Sequence, residues 1–208
     1  MHTKVKVPYL SRKKIIELST TWLDSLVINV FEHQYLDLDA IFVHLNKTHG
    51  LIYKEVSLGG VQNKKILGVM IPAKNAIYID SILTSNLTMK RFTQAHELAH
   101  WIIHRKLELS DYELSDTSET LNQARKLVTT YDWIEWQANA YAAMLLMPIT
   151  RFKAVLDHSL DLLDINLEFK LIEPFQLSKL LKVLSFKFHV SQSVVSIHIQ
   201  MLQKEKII

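Results

Sequence analysis

The placement of glycine constrains this chain more than any other feature. Its 208 residues contain four glycines, Gly50, Gly59, Gly60 and Gly68, so the last 140 residues have none. A stretch of that length without the residue best suited to left-handed turns reads as mostly helical. The glycines fall instead among strand-like segments. Leu51 to Leu58, Lys65 to Ile71 and Ala76 to Asp80 are short runs rich in Ile, Val and Tyr. Gly59-Gly60 and Pro72-Ala73-Lys74-Asn75 punctuate them, as turn chemistry requires. Three short strands with tight links predict a small antiparallel sheet.

Helical patterning surrounds this sheet, which makes the expected fold class α+β. Arg12 to about Val30 carries apolar residues at helical spacing, and Leu38 to Leu45 follows with Gly50 as its stop. Thr88 to Arg105 contains no breaker and reads as one helix. Lys106 to Thr130 is polar and reads as a solvated loop with at most one helix; a gate over a cleft is the sharper alternative. Tyr131 to Met147 is a strongly apolar helix ended by Pro148, and Ile149 to Ile208 is helical with one bend near Glu173-Pro174.

The chemistry begins with an absence. The chain has no cysteine, which excludes disulfides, thiolate zinc sites and a cysteine nucleophile. Any transition metal must therefore be held by His, Asp or Glu. The segment His96-Glu97-Leu98-Ala99-His100 is H-E-x-x-H inside a predicted helix. Residues four apart share a helix face, so His96 and His100 can point at a single ion. Glu97 lies about 100° further round the helix, beside that ion, where it can accept a proton from its water. This is the pattern of zinc peptidases.

Catalytic zinc takes three protein ligands, so one more is needed. His104 is one turn beyond His100, but three ligands each four apart would span about 12 Å, too far to converge on one ion. His104 reads as a neighbour that packs or hydrogen-bonds near the site. Glu135, between Trp133 and Trp136 in an apolar helix, is the better candidate, because a carboxylate there is costly without a partner. Asp132 is the fallback. Asn139, one turn after Glu135, is placed to hydrogen-bond a ligand from behind.

Arg91 to His104 (RFTQAHELAHWIIH) and Glu135 to Pro148 (EWQANAYAAMLLMP) together resemble the ImmA/IrrE family of metallo-endopeptidases, over about residues 10 to 150. The resemblance implies zincin-like helices and one zinc ion per chain. It implies that His96 and His100 bind this ion, Glu135 completes the set and Glu97 is the general base. Two positions depart from the family pattern. Gln137 replaces a usual second glutamate, a change expected to leave the site intact, and Tyr141 replaces a phenylalanine. For the oxyanion donor, Tyr131, Tyr141, His104 and His198 all stand as candidates. His and carboxylate ligands suit manganese as well, and the geometry usual for H-E-x-x-H favours zinc.

The expected organisation is a zinc metallopeptidase domain over residues 1–150 and a helical C-terminal region over 151–208. Phe188 to Leu202 resembles the second half of a helix-turn-helix or winged-helix unit, with Ser191 as a cap and Val194, Val195, His198 and Met201 or Leu202 as its apolar face. From 151 onward, eight Lys or Arg stand against six Asp or Glu, and the whole chain carries +3. That charge argues against direct DNA binding and for a packing or partner-docking role.

The resemblance implies cleavage of a specific regulatory protein, such as a helix-turn-helix transcriptional repressor. The rival expectation is a non-catalytic antirepressor or toxin–antitoxin partner in which zinc is structural. The N-terminus lacks an apolar signal-peptide core and no apolar run has membrane-spanning length. No membrane association and a cytoplasmic location are therefore expected.

Overall fold

The computed structural model describes residues 7–31, 35–61, 64–107, 114–117, 129–165 and 172–208. Helix α1 (Arg12–Asp24) is capped by Ser11, whose side chain accepts from the Lys14 amide. It ends six residues before the predicted Val30. There Ser25 Oγ donates to the Trp22 carbonyl at 2.7 Å, and a serine competing for helix carbonyls favours termination. Helix α2 (Leu38–His49) runs from the Asp37 cap to Gly50, which closes it in the left-handed conformation at φ 65°.

The predicted strands form as β1 (Ile52–Val56), β3 (Lys64–Ile71) and β4 (Ala76–Asp80). Gly60–Val61 adds a short β2, and Leu114–Thr117, inside the polar stretch, forms β5. The rest of that stretch lies largely outside the described residues, and the gate expected there with it.

The sheet is mixed, which corrects the antiparallel expectation. β3 pairs antiparallel with β4, β2 and β5, whereas β1 pairs parallel with β4, Ile52 opposite Ala76. Strand order β1-β4-β3 places β1 beside the strand three steps on in sequence. Consecutive hairpins would have put it beside β3. Asn75 holds this arrangement: its backbone carbonyl accepts from Ile52, its amide donates to the His49 carbonyl at 2.9 Å, and its side-chain oxygen accepts from Trp101 Nε1 at 2.7 Å.

Helix α3 (Leu87–Ala99) lies against β3 and passes without a break into a π-helical turn over His100–His104. Helix α4 (Thr130–Leu146) packs on α3 and on α1. Helices α5 (Ile149–Leu162), α6 (Pro174–Phe188) and α7 (Gln192–Lys204) follow. Pro174 opens α6, and Ser191 caps α7 by accepting from the Val194 amide at 3.3 Å. One hydrophobic cluster runs from Ile15 on α1 through α3 and α4 to Leu202 on α7. Among the described residues no helix is long and apolar enough to cross a membrane.

Candidate metal centre

Every residue of α3 from Phe92 to Ala99 is buried. A helix enclosed on all sides is normally apolar all round, yet this one carries Thr93, Gln94, His96 and Glu97. Each such polar group needs a partner to offset its lost hydration. Thr93 Oγ1 donates to the Met89 carbonyl at 3.0 Å, and Gln94 Nε2 donates to the Tyr53 hydroxyl on β1 at 2.8 Å. His96 Nδ1 meets Asn139 Oδ1 on α4 at 3.0 Å.

Glu97 lies against β3 at Gly68. A Cβ at position 68 would sit 2.7 Å from Glu97 Oε1, 2.9 Å from Glu97 Cγ and 2.6 Å from Thr93 Cγ2. Any larger residue would push the carboxylate or the strand away. Sequence reasoning passed over Gly68, although a glycine inside a strand run is itself a sign of close backbone approach.

Glu135 reaches the site from the second turn of α4. The first turn is fixed by a capping box, in which Thr129 Oγ1 accepts from the Asp132 amide while Asp132 Oδ2 accepts from Thr129 N and Oγ1, both at 2.8 Å. Asp132, the fallback ligand, is thus committed to the helix end. Glu135 is 7% exposed, and its oxygens stand 3.2 Å from His96 Nε2 and 3.4 Å from His100 Nε2.

His96, His100 and Glu135 form a buried group whose ligand atoms all lie within 4.8 Å of one another. The two Nε2 atoms are 2.8 Å apart. Behind them, each ring engages a partner through Nδ1: Asn139 for His96, and His104 Nδ1 at 2.9 Å for His100. Burial, with the neighbouring His96 and His104 adding to it, holds the His100 pKa well below its usual value, so this imidazole is neutral. With Nδ1 carrying the proton, both Nε2 atoms present lone pairs to each other and to a carboxylate. Electron-rich atoms at these distances repel unless a cation lies among them. The donor set of two imidazoles and one carboxylate fits a divalent transition metal.

His104 lies beside the cluster, hydrogen-bonded to His100. Burial pushes its pKa down to about 4, partly offset by its bond to Gln137 Oε1 at 3.0 Å. Gln137, expected to be inert, is therefore joined to the site. Tyr131 is half-buried in the first turn of α4, four residues before Glu135 and so on its face. Tyr141 is committed elsewhere, because its hydroxyl donates to the Leu18 carbonyl on α1 at 3.3 Å. His198 lies in the C-terminal core, edge-on to Phe152 with ring centroids 4.6 Å apart. Neither of these two is presented to the metal group as an oxyanion donor.

Two histidines and a glutamate from neighbouring helices, with Glu97 next to His96 in the chain and pressed on Gly68, make a centre suited to a metal-dependent hydrolase. Residues 59–183 match the Peptidase_M78 family, described as the IrrE N-terminal-like domain, and the chain belongs to that family. The membership agrees with the ImmA/IrrE resemblance of the two helix motifs. Among curated proteins, none matches the chain significantly.

Proposed function

We propose that the protein is a single-zinc endopeptidase acting on a specific regulatory protein inside the cell, a helix-turn-helix repressor being the class of substrate that the family resemblance favours. The observation that carries the reading is the buried His96–His100–Glu135 group with Glu97 packed beside it under Gly68. These three residues would hold the zinc. When bound, zinc would lower the pKa of a water and polarise the scissile carbonyl.

The rest of the chemistry belongs to the chain. Glu97 takes the proton from the attacking water and delivers it to the leaving amine. Gly68 and Thr93 wall the Glu97 side chain and restrict where its oxygens can move. Asn139 holds the His96 ring with Nε2 facing the cluster. Tyr131, on the Glu135 face of α4, and His104, hydrogen-bonded to His100, are the candidates to donate to the developing oxyanion.

Glu97→Gln tests the reading. Cleavage of a repressor encoded beside the gene is expected to fall by about 10²–10⁴-fold, with metal content unchanged. Equal cleavage by the variant sinks the mechanism. Stoichiometric relief of repression with no new chain terminus would instead identify a sequestering partner with structural zinc.

A further inference from the structure

The metal group does not end at its ligands. A line of side chains continues from His100 through His104 and Gln137 to the backbone carbonyl of Pro8, on the segment preceding α1. The contacts are 2.9 Å from His100 Nδ1 to His104 Nδ1, 3.0 Å from His104 Nε2 to Gln137 Oε1, and 2.9 Å from Gln137 Nε2 to the Pro8 oxygen. His100, His104 and Gln137 are each 1% exposed, whereas Pro8 lies at the surface.

The direction of every bond in this line follows from its outer end. A backbone carbonyl can only accept, so Gln137 must turn its NH₂ toward Pro8 and its oxygen toward His104. That oxygen can only accept, so His104 carries its proton on Nε2. A neutral His104 then has a lone pair on Nδ1, and His100 must supply the proton between the two rings. His100 is left as the Nδ1–H tautomer, with the Nε2 lone pair directed at His96 and Glu135. Reversing Gln137 would set two oxygens against each other at Pro8 and offer its NH₂ to His104 Nε2, which would move the His104 proton to Nδ1 and turn the line around.

We propose that Gln137 and His104 are positioning residues that fix the metal-binding tautomer of His100, and that the N-terminal segment at Pro8 sets their orientation. The proposal rests on the reading of His96, His100 and Glu135 as a metal group. It assigns a role to the one α4 residue that replaces a glutamate in the family pattern. A carboxylate at position 137 accepts from His104 whichever way it is turned, so it needs no orienting partner, although its second oxygen repels the Pro8 carbonyl and gives up that contact. An amide needs one, and this chain supplies it from the segment before α1, 129 residues away along the sequence. The segment is held in place by Tyr9, edge-on to Trp133 with centroids 5.5 Å apart, and by Arg12 over Trp136 at 5.5 Å.

The test combines zinc titration against a chelator with side-chain ¹⁵N NMR of the zinc-free chain. Wild type is expected to show His104 as Nε2–H and His100 as Nδ1–H. Gln137→Met, which keeps length and loses the acceptor, is expected to raise the zinc dissociation constant about 10–100-fold and to mix both tautomers. Gln137→Glu is expected to keep the affinity within about threefold and the tautomers intact, rescuing the role rather than the shape. Tyr9→Ala, which loosens the Pro8 segment, is expected to weaken zinc binding severalfold in wild type but not on the Gln137→Glu background. Wild-type affinity and tautomers in Gln137→Met would overturn the proposal, as would an equal effect of Tyr9→Ala on both backgrounds. A wild-type chain that binds zinc but cleaves nothing would remove the peptidase reading and leave these readouts standing. The NMR assignment stands apart from zinc altogether.

Discussion

His100 and His198 are buried to the same degree, at 1% and 0% exposure, yet they do opposite things. His100 has a partner on each ring nitrogen and belongs to a line of polar groups from Asn139 to Pro8. His198 sits on α7 against Phe152, and neither ring nitrogen makes a well-formed hydrogen bond. Burial pushes the His198 pKa down to about 3, and the Met147 backbone offsets this only in part. The first histidine is polar machinery enclosed in protein. The second serves as an aromatic plug in an apolar core. Burial by itself therefore says nothing about function; the partners of the ring do.

The same substitution at both places gives the sharpest break in this comparison. His100→Leu is expected to weaken zinc binding by more than the roughly hundredfold that losing an outer hydrogen-bond partner costs. His198→Leu is expected to leave zinc affinity unchanged and neutral-pH stability equal or improved, because it removes an imidazole whose polar atoms gain little from the fold. Isothermal titration and thermal unfolding of the two variants measure both effects. Loss of zinc binding in His198→Leu would show that the two regions are energetically one.

A smaller change probes the packing of the polar half. Gly68→Ala is expected to displace Glu97 and cut turnover by about 10²-fold, since a misplacement near 1 Å has that effect, with a stability loss of about 1–3 kcal/mol from overpacking. Zinc stoichiometry should hold, which separates the base from the ligands. Unchanged turnover would mean that Glu97 does not depend on its contact with β3.

The mildest effect appears on acidification. The folded pKa of His198 lies below its unfolded value near 6.5, so the unfolded chain binds more protons between the two. Its contribution is nil above about pH 6.5, becomes destabilising as pH falls, and levels off near pH 3. Denaturant unfolding of the zinc-free chain between pH 7 and 4 is expected to show a shallower loss of stability in His198→Leu than in wild type. Parallel curves would place the acid sensitivity in other groups.

Much of the fold and of the polar site was legible because the signals are local. The H-E-x-x-H spacing, Gly50 as the end of α2, Ser191 as the cap of α7 and the odd carboxylate between two tryptophans each depend on neighbours within about one turn. Asp132 shows the limit of such reasoning. On the helix it stands as the fallback ligand behind Glu135, and only the capping box with Thr129 reveals that it is occupied. The π-helical turn at His100–His104 has no breaker to announce it. Gln137 looked inert because its two partners, His104 and Pro8, lie 33 and 129 residues away.

The sequence alone determined which chemistry was open to this chain. Without cysteine and with two histidines four apart on a helix, a metal could be held only by imidazole and carboxylate. The placement of the glycines likewise marked the region of the sheet: among the described residues, all strands but the four residues of β5 lie in the first half of the chain. Tertiary structure decided what no periodicity encodes. It ran β1 parallel to β4, pressed Gly68 onto Glu97, and brought Pro8 within hydrogen-bonding distance of Gln137. The physical reason is range. Caps and helix faces are set by contacts a few residues apart, whereas pairing direction, close approach and the orientation of a buried amide depend on groups that meet only after the chain has folded.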